Sequence, residues 1–329
     1  MNYNGKRILG DLLDKAVSSA LNQTYANKEV LFIDNGSTDD SVIHIKKRYE
    51  KLKIINFEKN LGFCKANNLA AFESSGEILL FMNSDVILSE NYVEKLVQYM
   101  ARDENIGAIQ GLELSYTPLL GGSMDSTFCR PFTIHFNPGF CLELLWVAFT
   151  ACLIRKDLFV NLNGLSEEFF MYHNDVDFCF RLVIKGYKCI SCPYVTYFHK
   201  RGGTADNFSS LRQYLCMRNR LLIAIRYLPF RFIVRSFIGW LLESLFDVME
   251  KNTASFFIAC NYKIIKYIFK NLRKELKIRV YYSSNNKRIL KFFIKTPIKL
   301  SNLESNKFLS KFIKNYKYCF NGGDLGDCR

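Results

Sequence analysis

Short apolar runs that stop at an aspartate, separated by stretches of helical period, constrain this chain more than any other feature. Val30-Leu31-Phe32-Ile33 ends at Asp34 and the turn Asn35-Gly36-Ser37, and Ile78–Met82 runs into Asn83-Ser84-Asp85. Between them the apolar period changes. Leu12, Leu13, Ala16, Val17, Ala20 and Leu21 recur as on a core-facing helix from Asp11 to Leu21, whereas Glu29–Asp34, Lys53–Phe57 and Glu77–Met82 read as strands. Further helices are expected after Ser37 or Thr38, which can cap, through Ala66–Ser74 and over Glu90–Arg102, with a strand near Gly107–Gln110. This alternation predicts an α/β protein with a mostly parallel, Rossmann-like sheet flanked by helices. Ligands of such sheets collect at the carboxyl ends of the strands, where Asp34 and Asp85 stand.

Further along, residues 115–140 are rich in Gly, Ser, Thr and Pro, without a clear period, and read as one long functional loop. Leu144–Ile154 reads as a buried strand, and Val176–Lys185 as a helix that Gly186 ends. No internal repeat is present.

Charge divides the chain unevenly. Residues 1–205 hold 21 Lys+Arg against 23 Asp+Glu, and residues 206–329 hold 24 against 8, so the whole excess of +14 comes from the last third. There, Arg218, Arg220, Arg226, Arg231, Arg235, Lys263, Lys266 and Lys270 alternate with apolar and aromatic residues at helical spacing. No stretch is apolar enough for a spanning helix, so cationic amphipathic helices on an anionic membrane surface are expected. The charge comes with no nucleic-acid-binding motif, and no nucleic-acid partner is expected. The tail from about residue 280 reads as poorly ordered. The 11 cysteines are scattered through apolar runs and are expected as reduced, buried thiols, including the Cys189/Cys192 pair.

Three groups of acidic residues can carry chemistry, and each has an ordinary alternative. Asp34 can accept hydrogen bonds from a nucleoside, or simply hold its turn. Asp85 can hold Mg²⁺ or Mn²⁺ against a diphosphate, although Asn-Ser-Asp is also a common turn. Asp175 and Asp177 open a helix, where the dipole favours acids regardless of function. Yet they lie close to Phe169-Phe170-Met171-Tyr172, and apolar bulk raises a carboxyl pKa toward that of a general base.

Taken together, these segments resemble family 2 glycosyltransferases of the rhamnosyltransferase-like type. The residues that carry the resemblance are Asn2-Tyr3-Asn4-Gly5-Lys6, Gln23-Thr24-Tyr25, Asp34 to Asp39, Asn60-Leu61-Gly62-Phe63, Asn67-Asn68, Met82-Asn83-Ser84-Asp85 and Phe169-Phe170-Met171-Tyr172 with Asp175-Val176-Asp177. The resemblance covers roughly residues 1–205, the expected catalytic domain, with 206–329 as a basic helical extension. It implies a glycosyltransferase A-type fold and inverting transfer from a nucleotide-diphosphate sugar, rhamnose or another hexose, to a glycan or lipid-linked acceptor, as in envelope polysaccharide synthesis. It also implies Asp175 as the base, and Asp85 with His199 at a Mg²⁺ or Mn²⁺ ion. Asn4, Asp34, Asn35, Gly36, Asn60, Gly62, Asn68, Asn83 and Asp177 would line the donor pocket, and Trp146 would cover the acceptor. A place on the cytoplasmic face of the cell membrane follows from the lipid-linked acceptor. The chain departs from the family in three places. An apolar strand is expected ahead of Asn2 and is not present, Asn174 stands where Glu is usual, and Asn83 stands where many members have Asp. The first two keep open an alternative, a membrane-associated carbohydrate-binding relative with impaired catalysis.

Overall fold

The computed structural model describes residues 1–115, 118–135, 139–200, 209–251, 254–282 and 287–294. Its strands are β1 (Leu31–Asp34), β2 (Lys53–Asn56), β3 (Ile78–Met82), β4 (Val86–Leu88), β5 (Ile106–Leu114), β6 (Gly122–Asp125), β7 (Pro131–Thr133), β8 (Leu142–Leu144), β9 (Ala151–Arg155), β10 (Lys188–His199) and β11 (Phe293–Ile294). The helices are α1 (Gly5–Leu9), α2 (Asp11–Leu21), α3 (Ser41–Arg48), α4 (Gly62–Glu73), α5 (Tyr92–Ala101), α6 (Lys156–Asn161), α7 (Asn174–Lys185), α8 (Ser209–Tyr227), α9 (Phe230–Lys251), α10 (Ala254–Tyr282) and α11 (Lys287–Leu290). Most elements expected before residue 110 fall within a few residues of their places, because their apolar periods are long and bounded by Gly, Asn or Asp.

The central sheet is mixed, which corrects the mostly parallel expectation. Its order is β3-β9-β5-β10-β4, with β8 also on β10. Only β5 and β10 pair in parallel within it, while β9, β4 and β8 run antiparallel to their neighbours. β1 and β2 form a separate parallel pair. Between β1 and β3 sit Met1 and Asn2: the Asn2 N–H donates to Ile33 O at 2.7 Å, and the Met1 amine to Met82 O at 2.8 Å.

Residues 115–140 also depart from expectation, since β6 and β7 pair within them and β11 joins β6. The expected strand over Leu144–Ile154 is two short ones, β8 and β9, joined by a buried turn. Cys141 and Cys192 are joined as a disulfide, which corrects the all-reduced reading, while Cys64, Cys129, Cys152, Cys179, Cys189, Cys216 and Cys260 are free.

The basic last third does not stand apart from the rest. One continuous core takes Phe81 of β3, Phe149 of the β8–β9 turn and Phe178 of α7 together with Leu221, Ile225 and Tyr227 of α8, Trp240 of α9 and Ile264 of α10. Three arginines expected on an amphipathic surface, Arg218, Arg220 and Arg226, are buried instead. Residues 201–208, where the sequence places the junction of the two regions, and the tail beyond Ile294 lie outside the described residues.

Candidate active site

Three neighbouring strand ends bring three ionisable side chains together. β10 is long enough that His199 pairs with Val86, the residue after Asp85, while Tyr197 pairs with Glu113 on β5. His199 Nε2 lies 3.3 Å from Asp85 Oδ2, and its Nδ1 lies 3.3 Å from Glu113 Oε2. Burial works against the imidazolium, but the two carboxylates outweigh it and push His199 up to about 9. Glu113 is almost fully buried and also accepts a hydrogen bond from the Tyr197 hydroxyl at 3.2 Å. Sequence reasoning missed it. The available signal was an acid inside the apolar run Ile109–Leu114, since a buried strand rarely keeps an unpaired charge.

A chain of contacts links this cluster to Asp175. The Asn83 N–H donates to Thr150 O at 3.0 Å, and the neighbouring Phe149 backbone hydrogen-bonds Asp175. Asp175 also accepts from the Val176 N–H at 2.9 Å. Burial is the main influence on this carboxyl and pushes it up to about 6.

The loop ahead of Asp175 holds three departures from ordinary backbone. Phe170, Tyr172 and His173 have φ of 63°, 64° and 55°, a left-handed conformation costly for residues with a Cβ. Helix α8 holds them there. Asn219 Nδ2 lies 3.2, 3.0 and 2.8 Å from the carbonyls of Phe169, Met171 and Tyr172, and Arg218 donates to those of Glu168 and Phe169 at 2.6 and 3.3 Å. In sequence Arg218 reads as a surface cation and Asn219 does not stand out, because their partners are backbone atoms some 50 positions away.

The same loop closes onto the Asn-Leu-Gly turn. Phe170 O accepts from the Cys64 N–H at 3.1 Å, and the Phe170 ring lies against Gly62. Asn35 Nδ2 donates to Asn60 Oδ1 at 3.1 Å, and Asn35 Oδ1 accepts from the Leu61 N–H at 2.9 Å, which ties this turn to the one after β1. Gly36 sits where a Cβ would lie 2.3 Å from the Lys59 carbonyl carbon. At Gly62 φ is +81° and a Cβ would lie 2.4 Å from the Phe170 ring, whereas at Gly10 φ is +59° with nothing within 4 Å. Gly62→Ala is therefore expected to cost about 1–3 kcal/mol more than Gly10→Ala, the excess being overpacking against Phe170. Denaturant titration of both variants checks this, and equal losses would show that Phe170 does not wedge there.

Several residues expected to line the pocket serve the scaffold. Asn68 is buried, with its amide donating to Leu165 O at 2.9 Å and its carbonyl accepting from Leu165 N at 2.8 Å. Asp177 is fully buried and takes Arg181, Arg226, Ser166 and Tyr227 within 2.7–3.1 Å. Burial alone would raise its pKa, but the two guanidiniums hold it below the usual range. Trp146 packs in the core over Gly122 and donates to Ser123 O at 3.2 Å, so it covers no acceptor. Asn4 Oδ1 accepts from the Thr38 N–H at 2.7 Å in the loop after β1, and buried Asp34 accepts from Asn2 at 2.8 Å and from the Ser37 hydroxyl and N–H at 2.6 and 2.8 Å. These last two hold the loops after Met1 and after β1 together.

Among the described residues no three His, Cys, Asp or Glu side chains form a metal-holding group. Asp85 offers a carboxylate, while His199, held protonated between Asp85 and Glu113, would have to give up a proton to ligate an ion beside it. That set suits a hard divalent cation that takes its remaining oxygens from phosphate and water.

Comparison with known proteins agrees with this architecture. Residues 2–161 match the profile of Glycosyl transferase family 2. An uncharacterized glycosyltransferase of Haemophilus influenzae is 36% identical over 110 residues, 32% of this chain and 33% of its own length. The O-antigen biosynthesis protein RfbC of Myxococcus xanthus is 26% identical over 207 residues, 57% of this chain and 16% of its own. The chain thus spans a third or less of these curated relatives. Among solved structures, GalNAc-T7 with UDP, GalNAc and Mn²⁺ superposes with TM-score 0.54 at 14% identity, covering 66% of this chain and 46% of that one. The mannosyltransferase PcManGT of Pyrobaculum calidifontis with GDP-Man and Mn²⁺ superposes with TM-score 0.50 at 16% identity, covering 88% and 83%. The strand ends that gather Asp85, Glu113 and His199 are thus carried on a glycosyltransferase A-type fold, and residues 2–161 of the chain match glycosyl transferase family 2.

Proposed function

We propose that this chain is an inverting glycosyltransferase that moves a hexose, with rhamnose among the candidates, from a nucleotide-diphosphate donor to the hydroxyl of a glycan or lipid-linked acceptor. One observation carries the reading. Asp85 with His199, and Asp175 with its raised pKa, are linked through backbone contacts at Asn83, Thr150 and Phe149. A single displacement needs a base on the acceptor side and a charge acceptor on the diphosphate side of one anomeric carbon.

In this scheme the acceptor hydroxyl gives its proton to an Asp175 carboxylate oxygen as its own oxygen bonds to the anomeric carbon. The bond from that carbon to the diphosphate oxygen breaks, and the nucleoside diphosphate leaves with the bonding electrons. Asp85 and His199 would hold Mg²⁺ or Mn²⁺, which as a Lewis acid neutralises charge gathering on the diphosphate. The turns at Asn35-Gly36 and Asn60-Gly62 bring backbone close enough to border the nucleoside. The similarity to an O-antigen biosynthesis protein supports an envelope polysaccharide as the product class. The basic last third supports a peripheral place on the cytoplasmic side of the cell membrane.

Release of nucleoside diphosphate from a panel of UDP-, dTDP- and GDP-sugars with Mn²⁺ tests the activity, and no turnover with any donor and acceptor pair would refute it. The base must be ionised to work, and Asp175 is protonated below about pH 6 and ionised above it. The rate at low substrate should therefore rise with pH through a midpoint near 6. A limb near pH 4 would mean that Asp175 is not the base.

A further inference from the structure

Helices α9 and α10 leave a broad apolar surface uncovered. On α9, Phe230, Val234, Ile238, Leu241 and Leu245 recur at helical spacing and are 42–74% exposed. On α10, Ile258, Tyr262, Ile265, Phe269 and Val280 do the same at 42–74%. The opposite faces of both helices are committed to the core through Phe232, Trp240, Ile264 and Ile268. Exposed apolar stripes on this scale mark an interaction surface, since single exposed leucines are ordinary but aligned rows are not.

The chemistry of the borders identifies the occupant. Arg231 and Arg235 flank the α9 row, and Lys263, Lys266 and Lys270 run beside the α10 row, all exposed. Between α8 and α10 opens a groove of about 570 Å³, with Leu211, Ala259 and Cys260 along it and the same three lysines at its rim. An apolar floor under a cationic rim matches an anionic amphiphile: acyl chains against the floor, phosphate at the rim. A second copy of this chain would set lysine rows against lysine rows. Among the described residues no helix is long and apolar enough to cross a bilayer, so these rows fit a helix pair lying in the interface.

We propose that the α9–α10 face is a membrane-docking surface for anionic phospholipid, with both helices seated at the headgroup boundary and the α8–α10 groove taking a lipid phosphate. This rests on the transferase reading only for its purpose, which is to hold the enzyme where a lipid-linked acceptor resides. Arg218 couples the two regions: it stacks on the groove residues Tyr214 and Tyr267 at 5.3 and 4.7 Å while holding the Glu168 and Phe169 carbonyls ahead of Asp175.

The test is flotation of the full chain with phosphatidylcholine vesicles, with and without phosphatidylglycerol, and with inorganic phosphate as competitor. The wild type should float with the anionic vesicles and much less with neutral ones. Leu241→Glu/Leu245→Glu and Lys266→Glu/Lys270→Glu should each lower partitioning by about tenfold or more, given the loss of interfacial apolar area or of headgroup attraction. Unfolding temperature and transfer to a soluble acceptor should stay at wild-type values. Phosphate that blocks flotation at millimolar level would show the groove to be a free-anion site and overturn the lipid assignment. So would variants that float like the wild type. A concentration-dependent dimer in light scattering, lost in the leucine variant, would give the face to a second copy. Flotation without any donor turnover would sink the transferase reading alone, and turnover without flotation would sink the docking alone.

Discussion

Asp175→Asn is expected to lower the transfer rate by about 10²–10⁴-fold while leaving donor affinity unchanged, the range attributed to a positioned general base. Asparagine keeps the size of the side chain and an oxygen for the Val176 N–H, so the loop stays in place. What it removes is the one carboxyl in the loop that burial has raised to about 6. The neighbouring Asp177 cannot take over, because Arg181 and Arg226 hold its charge as a structural counter-ion. His173 sits two residues away, half-buried and pushed down to about 4 by desolvation and by Arg220. A variant that keeps most of its rate, with its rising limb moved to near pH 4, would transfer the base role to that imidazole. Single-turnover kinetics together with calorimetric donor binding separates these outcomes.

The second large effect concerns stability. Arg226 is buried where the catalytic region meets α10, with Asp177 at 3.1 Å, Glu275 at 2.6 Å and Glu168 also in contact. Glu275 is itself fully buried. Arg226→Met leaves that carboxylate without its guanidinium, and breaking a buried pair from one side costs about 3–5 kcal/mol. Thermal unfolding should fall by about 10 °C, or soluble protein should be lost altogether. Arg226→Met/Glu275→Leu removes both charges and should recover part of the loss, because residues in one network are not additive. A single variant that melts like the wild type would mean the helices are not anchored through this residue.

Much of the catalytic region was legible before any coordinates. Helix α2 spans the Asp11–Leu21 expected from its apolar period, and Asp85 follows a strand and Asp175 opens a helix where the pattern places those elements. What stayed hidden depends on contacts between distant residues. The sequence of β9 does not say that it inserts antiparallel between β3 and β5, because direction follows from connections rather than from composition. The Cys141–Cys192 pair joins strands through register that spacing does not reveal. Asn68, Asp177 and Trp146 looked like pocket residues because polar or aromatic character in a motif suits both a ligand and a buried partner. Only their saturation by Leu165, by two arginines and by Ser123 decides for the scaffold. Arg218, Arg220 and Arg226 misled for the opposite reason. Arginine at helical spacing reads as a wet surface, yet here the acids and carbonyls that bury it come from residues 168–177, 243 and 275.

The central claim is that Asp85 and Asp175 serve one anomeric centre from opposite sides. A crystal structure of the protein with its nucleoside diphosphate and Mn²⁺ tests it most directly. The account predicts the diphosphate and ion against Asp85 and His199, with the Asp175 carboxylate open to the same cleft and no protein between them. A diphosphate seated elsewhere, or an Asp175 walled off from it, would contradict the account.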